Sequence, residues 1–177
     1  MKRFPQALVI AVAVVAWPAL AADKPPDACT LLTADDIQAA VGVKPNTAAH
    51  PTEVVIPSGP AKGATMRGCT WGLGDSGVIS VSVIQAAEGA ARDAGLAKIH
   101  EAIDTLVARG WTHEHKEIGG TSCGVMTPPK GQDSMPKSVG CMGEAKGMAL
   151  STSDMGKTVV APEKVKALYD AAVKRLP

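Results

Sequence analysis

Cys69-Thr70-Trp71-Gly72-Leu73-Gly74-Asp75-Ser76-Gly77-Val78-Ile79-Ser80-Val81-Ser82-Val83-Ile84 is the stretch that decides the fold. Over 67–73, Cys69, Trp71 and Leu73 share one face of an extended segment. Ile79, Val81 and Val83 then alternate with Ser80 and Ser82, the period of two that marks a half-buried strand. Gly74-Asp75-Ser76-Gly77 between them is turn chemistry, so the two runs predict a hairpin. Gly72 to Gly77 also spells G-x-G-x-x-G. That string cradles a pyrophosphate only where a helix follows, and here a strand follows.

Working outward, Thr33 caps a helix predicted over 34–41, with Asp36 at its third position and Gly42 and Pro45 as stops. Residues 44–66 are rich in Pro and Gly and read as loop, with a short strand at 54–56. After the hairpin, Leu96, Ile99, Ile103 and Leu106 step by three and four, predicting a helix over 88–109 that Gly110 ends. Strands are expected over 111–118, 121–127, 138–142 and 147–153, with a connector at 128–136. Pro162 opens a last helix, 162–176, whose stripe is Val165, Leu168, Ala172 and Leu176. The order predicts an α+β domain, an antiparallel sheet backed by helices on one face.

The amino terminus reads as an export signal. Lys2 and Arg3 precede an apolar run from Ala7 to Ala16, and Ala19-Leu20-Ala21 is an A-x-A cleavage pattern. The run is shorter than the roughly 20 residues of a membrane span. The expected organisation is a signal peptide, 1–21, and a single α+β domain, 22–177, in the periplasm or secreted. Taking 21 residues from 177 leaves 156, one domain of ordinary size.

All four cysteines, Cys29, Cys69, Cys123 and Cys141, fall in the exported part and read as two disulfides. Three pairings exist. Chain order favours 29–69 with 123–141, because each pair then lies within one half of the chain. A zinc site of four thiolates would call for a C-x-x-C pair, which the chain lacks.

Composition excludes several partners. Without Lys2 and Arg3, 16 cations face 17 acids, with none of the basic excess of a nucleic-acid binder. Trp71, Trp111 and Tyr169 are the aromatics left after the signal, too few for a base- or sugar-stacking platform.

Cys29-Thr30-Leu31-Leu32-Thr33, the acids before Ile37, Gly42 and then Cys69-Thr70-Trp71 resemble the C-x-L-L-T … G … C-x-W opening of a group of secreted bacterial domains of unknown function. That group includes many actinobacterial lipoproteins, and the extracellular sensor domain of a mycobacterial Ser/Thr kinase is distantly similar. The resemblance implies an α+β fold with disulfides and a ligand- or partner-binding role. No cysteine stands at the expected cleavage point, so the expectation is a soluble product without a lipid anchor.

Two further strings look catalytic and fail on context. Gly120-Thr121-Ser122-Cys123-Gly124 matches G-x-S-x-G. However, all four histidines precede Ser122, and no helix is expected directly after it. Gly156-Lys157-Thr158 resembles the end of a P-loop, but the first glycine is replaced by Ser151. The expectation is a protein that is not an enzyme and needs no cofactor: an exported module binding a small ligand or a protein partner.

The alternative is a periplasmic copper-binding protein. His113 and His115, two apart, share a strand face, and methionines crowd the later chain. Imidazole and thioether suit copper, so the candidate ligands are His113, His115, Met126, Met142 and Met148. Methionine also fills gaps in an aromatic-poor core, which would explain the same residues without a metal.

Overall fold

The computed structural model describes residues 24–58, 62–85 and 89–177, with backbone alone for 89–96 and 98. The export signal expected over 1–21 lies outside these residues. A short 3-10 turn, Ala28–Thr30, leads into α1 (Ala34–Val41). There follow β1 (His50–Val55), β2 (Thr65–Gly72), β3 (Val78–Gln85), α2 (Gly89–Ala108), β4 (Thr112–Ile118), β5 (Thr121–Thr127), β6 (Lys137–Ala145), β7 (Met148–Gly156) and α3 (Pro162–Arg175). The strands form one antiparallel sheet in the order β1-β2-β3-β7-β6-β5-β4. It is two meanders, β1 to β3 and β4 to β7, joined where β3 pairs with β7.

The quoted hairpin forms as its pattern requires. Trp71 pairs with Ile79 and Cys69 with Val81, and all four are buried. Gly77, at φ 113°, closes the turn, and a Cβ there would lie 2.1 Å from the Met155 carbonyl oxygen. The apolar face continues through Leu150 on β7, Val139 and Cys141 on β6 and Cys123 on β5. On it pack Leu31, Leu32 and Ile37 from the amino-terminal segment and Val165, Leu168, Tyr169 and Ala172 from α3. α1 and α3 supply the expected helix backing of this face and touch each other, whereas α2 borders the opposite face. Fully burying an aliphatic side chain of this size stabilises by about 1.5–3 kcal/mol.

Local chemistry fixes α1. The Thr33 hydroxyl accepts from the Asp36 amide at 3.2 Å, and the Asp36 carboxylate accepts from the Thr33 amide at 2.7 Å, a complete capping box. Gly42, at φ 82°, ends the helix in the left-handed region.

Two disulfides close Cys29 to Cys69 and Cys123 to Cys141, the pairing that chain order favours, and no cysteine is left free among the described residues. The first pins the 3-10 turn to β2. The second joins directly opposed residues of β5 and β6.

Three strand expectations need correction. The short strand expected at 54–56 overlaps the end of a longer one, β1, which starts at His50, contains Pro51 and ends at Val55. β1 is an edge strand with all six residues exposed, so it carries no alternation to read, and an edge tolerates a proline. The strands expected at 138–142 and 147–153 extend to 137–145 and 148–156. The Lys146-Gly147 corner, with φ of 51° and 72°, joins them as a tight hairpin, so pairing runs to the turn itself.

Candidate functional site: a cleft between α2 and the open sheet face

Because side chains alternate along each strand, the face opposite the core is set by the same register. It carries Ser82 on β3, Ser151 and Ser153 on β7, Ser138, Gly140 and Met142 on β6, Ser122, Gly124 and Met126 on β5, and His113, His115 and Glu117 on β4. The serines and glycines over β3, β7 and β6 are too short to fill the space beneath a helix. α2 borders this face with Ile99, His100 and Ile103, and between them lies a cleft of about 860 Å³. Among the described residues, α2 makes its close contacts with β4. Ile99 is 40 % exposed and Ile103 half-buried, so the predicted stripe on α2 is only partly covered.

Of the copper candidates, His113, His115, Met126 and Met142 all line the cleft. Met148 does not join them. It pairs with Ala145 and Gln85, and its side chain packs against the core on the other face. The structure adds His100 and Met66 to the lining, which the sequence pattern did not single out. Their signal was hidden, because strand order and the position of α2 bring them in. Among the described residues no group of three or more His, Cys, Asp or Glu is arranged to hold a metal ion.

At the β4–β5 corner several polar side chains of the cleft come together. His113 and His115 have ring centroids 6.5 Å apart. His115 Nε2 lies 2.9 Å from Ser122 Oγ and 3.3 Å from Glu117 Oε1. His113 Nε2 sits over Gly124, 2.7 Å from where a Cβ would be. The lining includes Glu117 and Glu144 and, among the described residues, no Lys or Arg.

The catalytic-looking strings resolve as their context indicates. Ser122 lies within a strand and not on a strand-to-helix turn. It does meet a histidine, but Glu117 and Ser122 share the same ring nitrogen, so Glu117 cannot orient His115 from its far side as a triad acid does. Gly74–Ser76 is a 3-10 turn of the hairpin, and Lys157 and Thr158 are exposed.

No protein-family model and no curated protein sequence matches the chain. Among solved structures it is similar to the extracellular domain of PknH from Mycobacterium tuberculosis, at 13% identity and a TM-score of 0.54, over 86% of this chain and 97% of that one. At that identity the likeness is one of fold, shared with an extracellular domain of a mycobacterial kinase.

Proposed function

We propose that the chain is an exported, non-catalytic binding module that holds a small molecule between α2 and the serine- and glycine-lined face of the sheet. The observation that carries this reading is the cleft itself. Its volume of about 860 Å³ falls in the range of ligand sites, roughly 300–1,000 Å³. A packed interface there would have favoured a protein partner on the outer surface. Apolar ceiling, hydroxyl-rich floor and thioether walls suit an amphiphilic molecule. The absence of Lys and Arg among the described lining residues favours a neutral or cationic one.

Export is supported by the signal pattern in residues 1–21 and by two disulfides, which persist in oxidising compartments. The fold shared with an extracellular domain points the same way. Among the described residues no helix is long and apolar enough to cross a membrane.

The test is a titration of the exported protein with Nile red, a neutral apolar dye. Saturable binding is expected. Ser151→Phe and Ser153→Phe fill the floor and should weaken it at least tenfold at an unchanged melting temperature. No saturable binding, or wild-type affinity in both variants, overturns the reading.

A further inference from the structure

We infer that the β4–β5 corner of the cleft is a site for a soft monovalent metal ion, copper(I), held by His113, His115 and Met126. The inference rests on the cleft being open to ligands, and it assigns one of them.

Three observations converge. First, two imidazoles sharing one ion at about 2.0 Å from each nitrogen place their ring centroids about 5–6.5 Å apart, from tetrahedral to linear angles. The centroids of His113 and His115 are 6.5 Å apart, at the wide-angle end that a low-coordinate ion takes. Second, His115 has its orienting partners in place. Ser122 and Glu117 both engage Nε2, and the carboxylate favours the tautomer with the proton there. The lone pair is then on Nδ1, the arrangement in which a metal-bound histidine donates its other N–H to a carboxylate. Third, Met126 is the cross-strand partner of His113, with Cβ atoms about 4.5–5.5 Å apart by strand geometry. Gly124, opposite His115, leaves the room in which His113 Nε2 lies over β5.

The donor set chooses the ion. Glu117 is taken up as the partner of His115 Nε2, and among the described residues no three His, Cys, Asp or Glu are arranged to hold a metal ion, so a hard or zinc-type site is not complete. A thioether completes it, and thioether with imidazole selects copper(I). All four cysteines are consumed in disulfides, so no thiolate competes for the ion.

The experiment is an anaerobic titration of the exported protein with copper(I), kept reduced by ascorbate, against bathocuproine disulfonate. One equivalent is expected to bind, with nitrogen and sulfur neighbours in X-ray absorption. His113→Ala and Met126→Leu should each weaken binding at least tenfold. Glu117→Leu, acting through a positioning residue, should weaken it about tenfold. Met148→Leu, on the other face, should change nothing. No competitive binding, a shell without sulfur, or equal losses in Met148→Leu and Met126→Leu would each overturn the site. Nile red binding by Met126→Leu separates the two readings: if it persists while copper binding was never present, only the metal inference fails.

Discussion

Arg175, near the end of α3, grips Asp36, in the first turn of α1, across 139 positions of sequence. Its guanidinium lies 2.7 Å and 3.1 Å from the two carboxylate oxygens and also donates to the Leu31 carbonyl at 3.2 Å. The same carboxylate closes the α1 capping box. One side chain thus ties the helix start to the carboxy-terminal helix on which the core rests.

That relationship predicts acid sensitivity. Burial pushes the Asp36 carboxyl up, but hydrogen bonds from Arg175 and Thr33 outweigh it and hold the group below the usual carboxylate range. A depressed folded pKa gives stability that is present above the unfolded value, about 3.9, and lost as pH falls through the folded one. Asp36→Asn should therefore cost about 1–2 kcal/mol at pH 7, as a lost cap and ion pair together imply. The cost should shrink below pH 4, where wild type also loses the charge. Urea unfolding at pH 7 and pH 3 measures both.

Asp154 should behave in the opposite way. It is 2 % exposed on the core face of β7. One carboxylate oxygen accepts from the Val160 amide at 2.9 Å, and the other has no hydrogen-bond partner among the described residues. Burial raises its pKa, and the Val160 amide only partly opposes that. A raised folded pKa gives stability that is full below the unfolded value and lost as pH rises through the folded one. Asp154→Asn cannot ionise, so it should gain on wild type as pH rises from 4 to 7. A constant difference between the two proteins across that range would refute the account.

The disulfides should differ in weight. Chain entropy makes the 40-residue loop of Cys29–Cys69 worth about 4 kcal/mol and the 18-residue loop of Cys123–Cys141 about 3 kcal/mol. The first also holds Leu31 and Leu32, both buried, against the sheet. Cys29→Ser with Cys69→Ser should lower the melting temperature more than Cys123→Ser with Cys141→Ser. Scanning calorimetry of the two double variants decides it.

How much of this was legible is a matter of range. The Val81 hairpin, the Thr33 cap and the Pro162 helix start are written within a few residues of where they act, so periodicity and capping found them. β1 was half missed, because an exposed edge strand with Pro51 has no alternation. The cleft could not be read. Ser82 looks like part of an ordinary solvent face, and nothing local says that α2 borders the same cleft. The metal candidates split by strand parity. Met142 and Met148 are close in sequence, yet the two-residue corner at Lys146-Gly147 sets them on opposite faces. Asp36–Arg175 spans nearly the whole chain, and no spacing rule reaches that far.

Gly124 offers a direct probe of the cleft corner. A Cβ there would meet His113 Nε2 at 2.7 Å, the far end of a side chain that can swing away. Gly124→Ala should leave stability nearly unchanged but displace the imidazole from β5. The expected readout is a moved His113 ring resonance by NMR with a melting temperature within about 2 °C of wild type, less than 1 kcal/mol shifts a domain of this size. An unmoved resonance would mean that the ring does not rest over this glycine.

Gly143 tests the packing of α3 on the sheet. A Cβ at this position would lie 2.7 Å from the Tyr169 hydroxyl oxygen and 3.3 Å from the ring carbon that bears it. Tyr169 is 5 % exposed and sits on α3, whose other buried residues fix it against β6, so its ring has little room to retreat. Gly143→Ala should cost about 1–3 kcal/mol, the usual range for overpacking a close-packed core. Most of that cost comes from the hydroxyl, since 3.3 Å to the ring is tight yet tolerable with a small shift. Tyr169→Phe removes the hydroxyl and leaves the ring. In that background Gly143→Ala should cost about 1 kcal/mol less than in wild type, a coupling within the range for residues in contact. Denaturant unfolding of the four proteins closes the cycle. Additive losses would show that the α3 contact does not limit this position and that the cost arises in the strand.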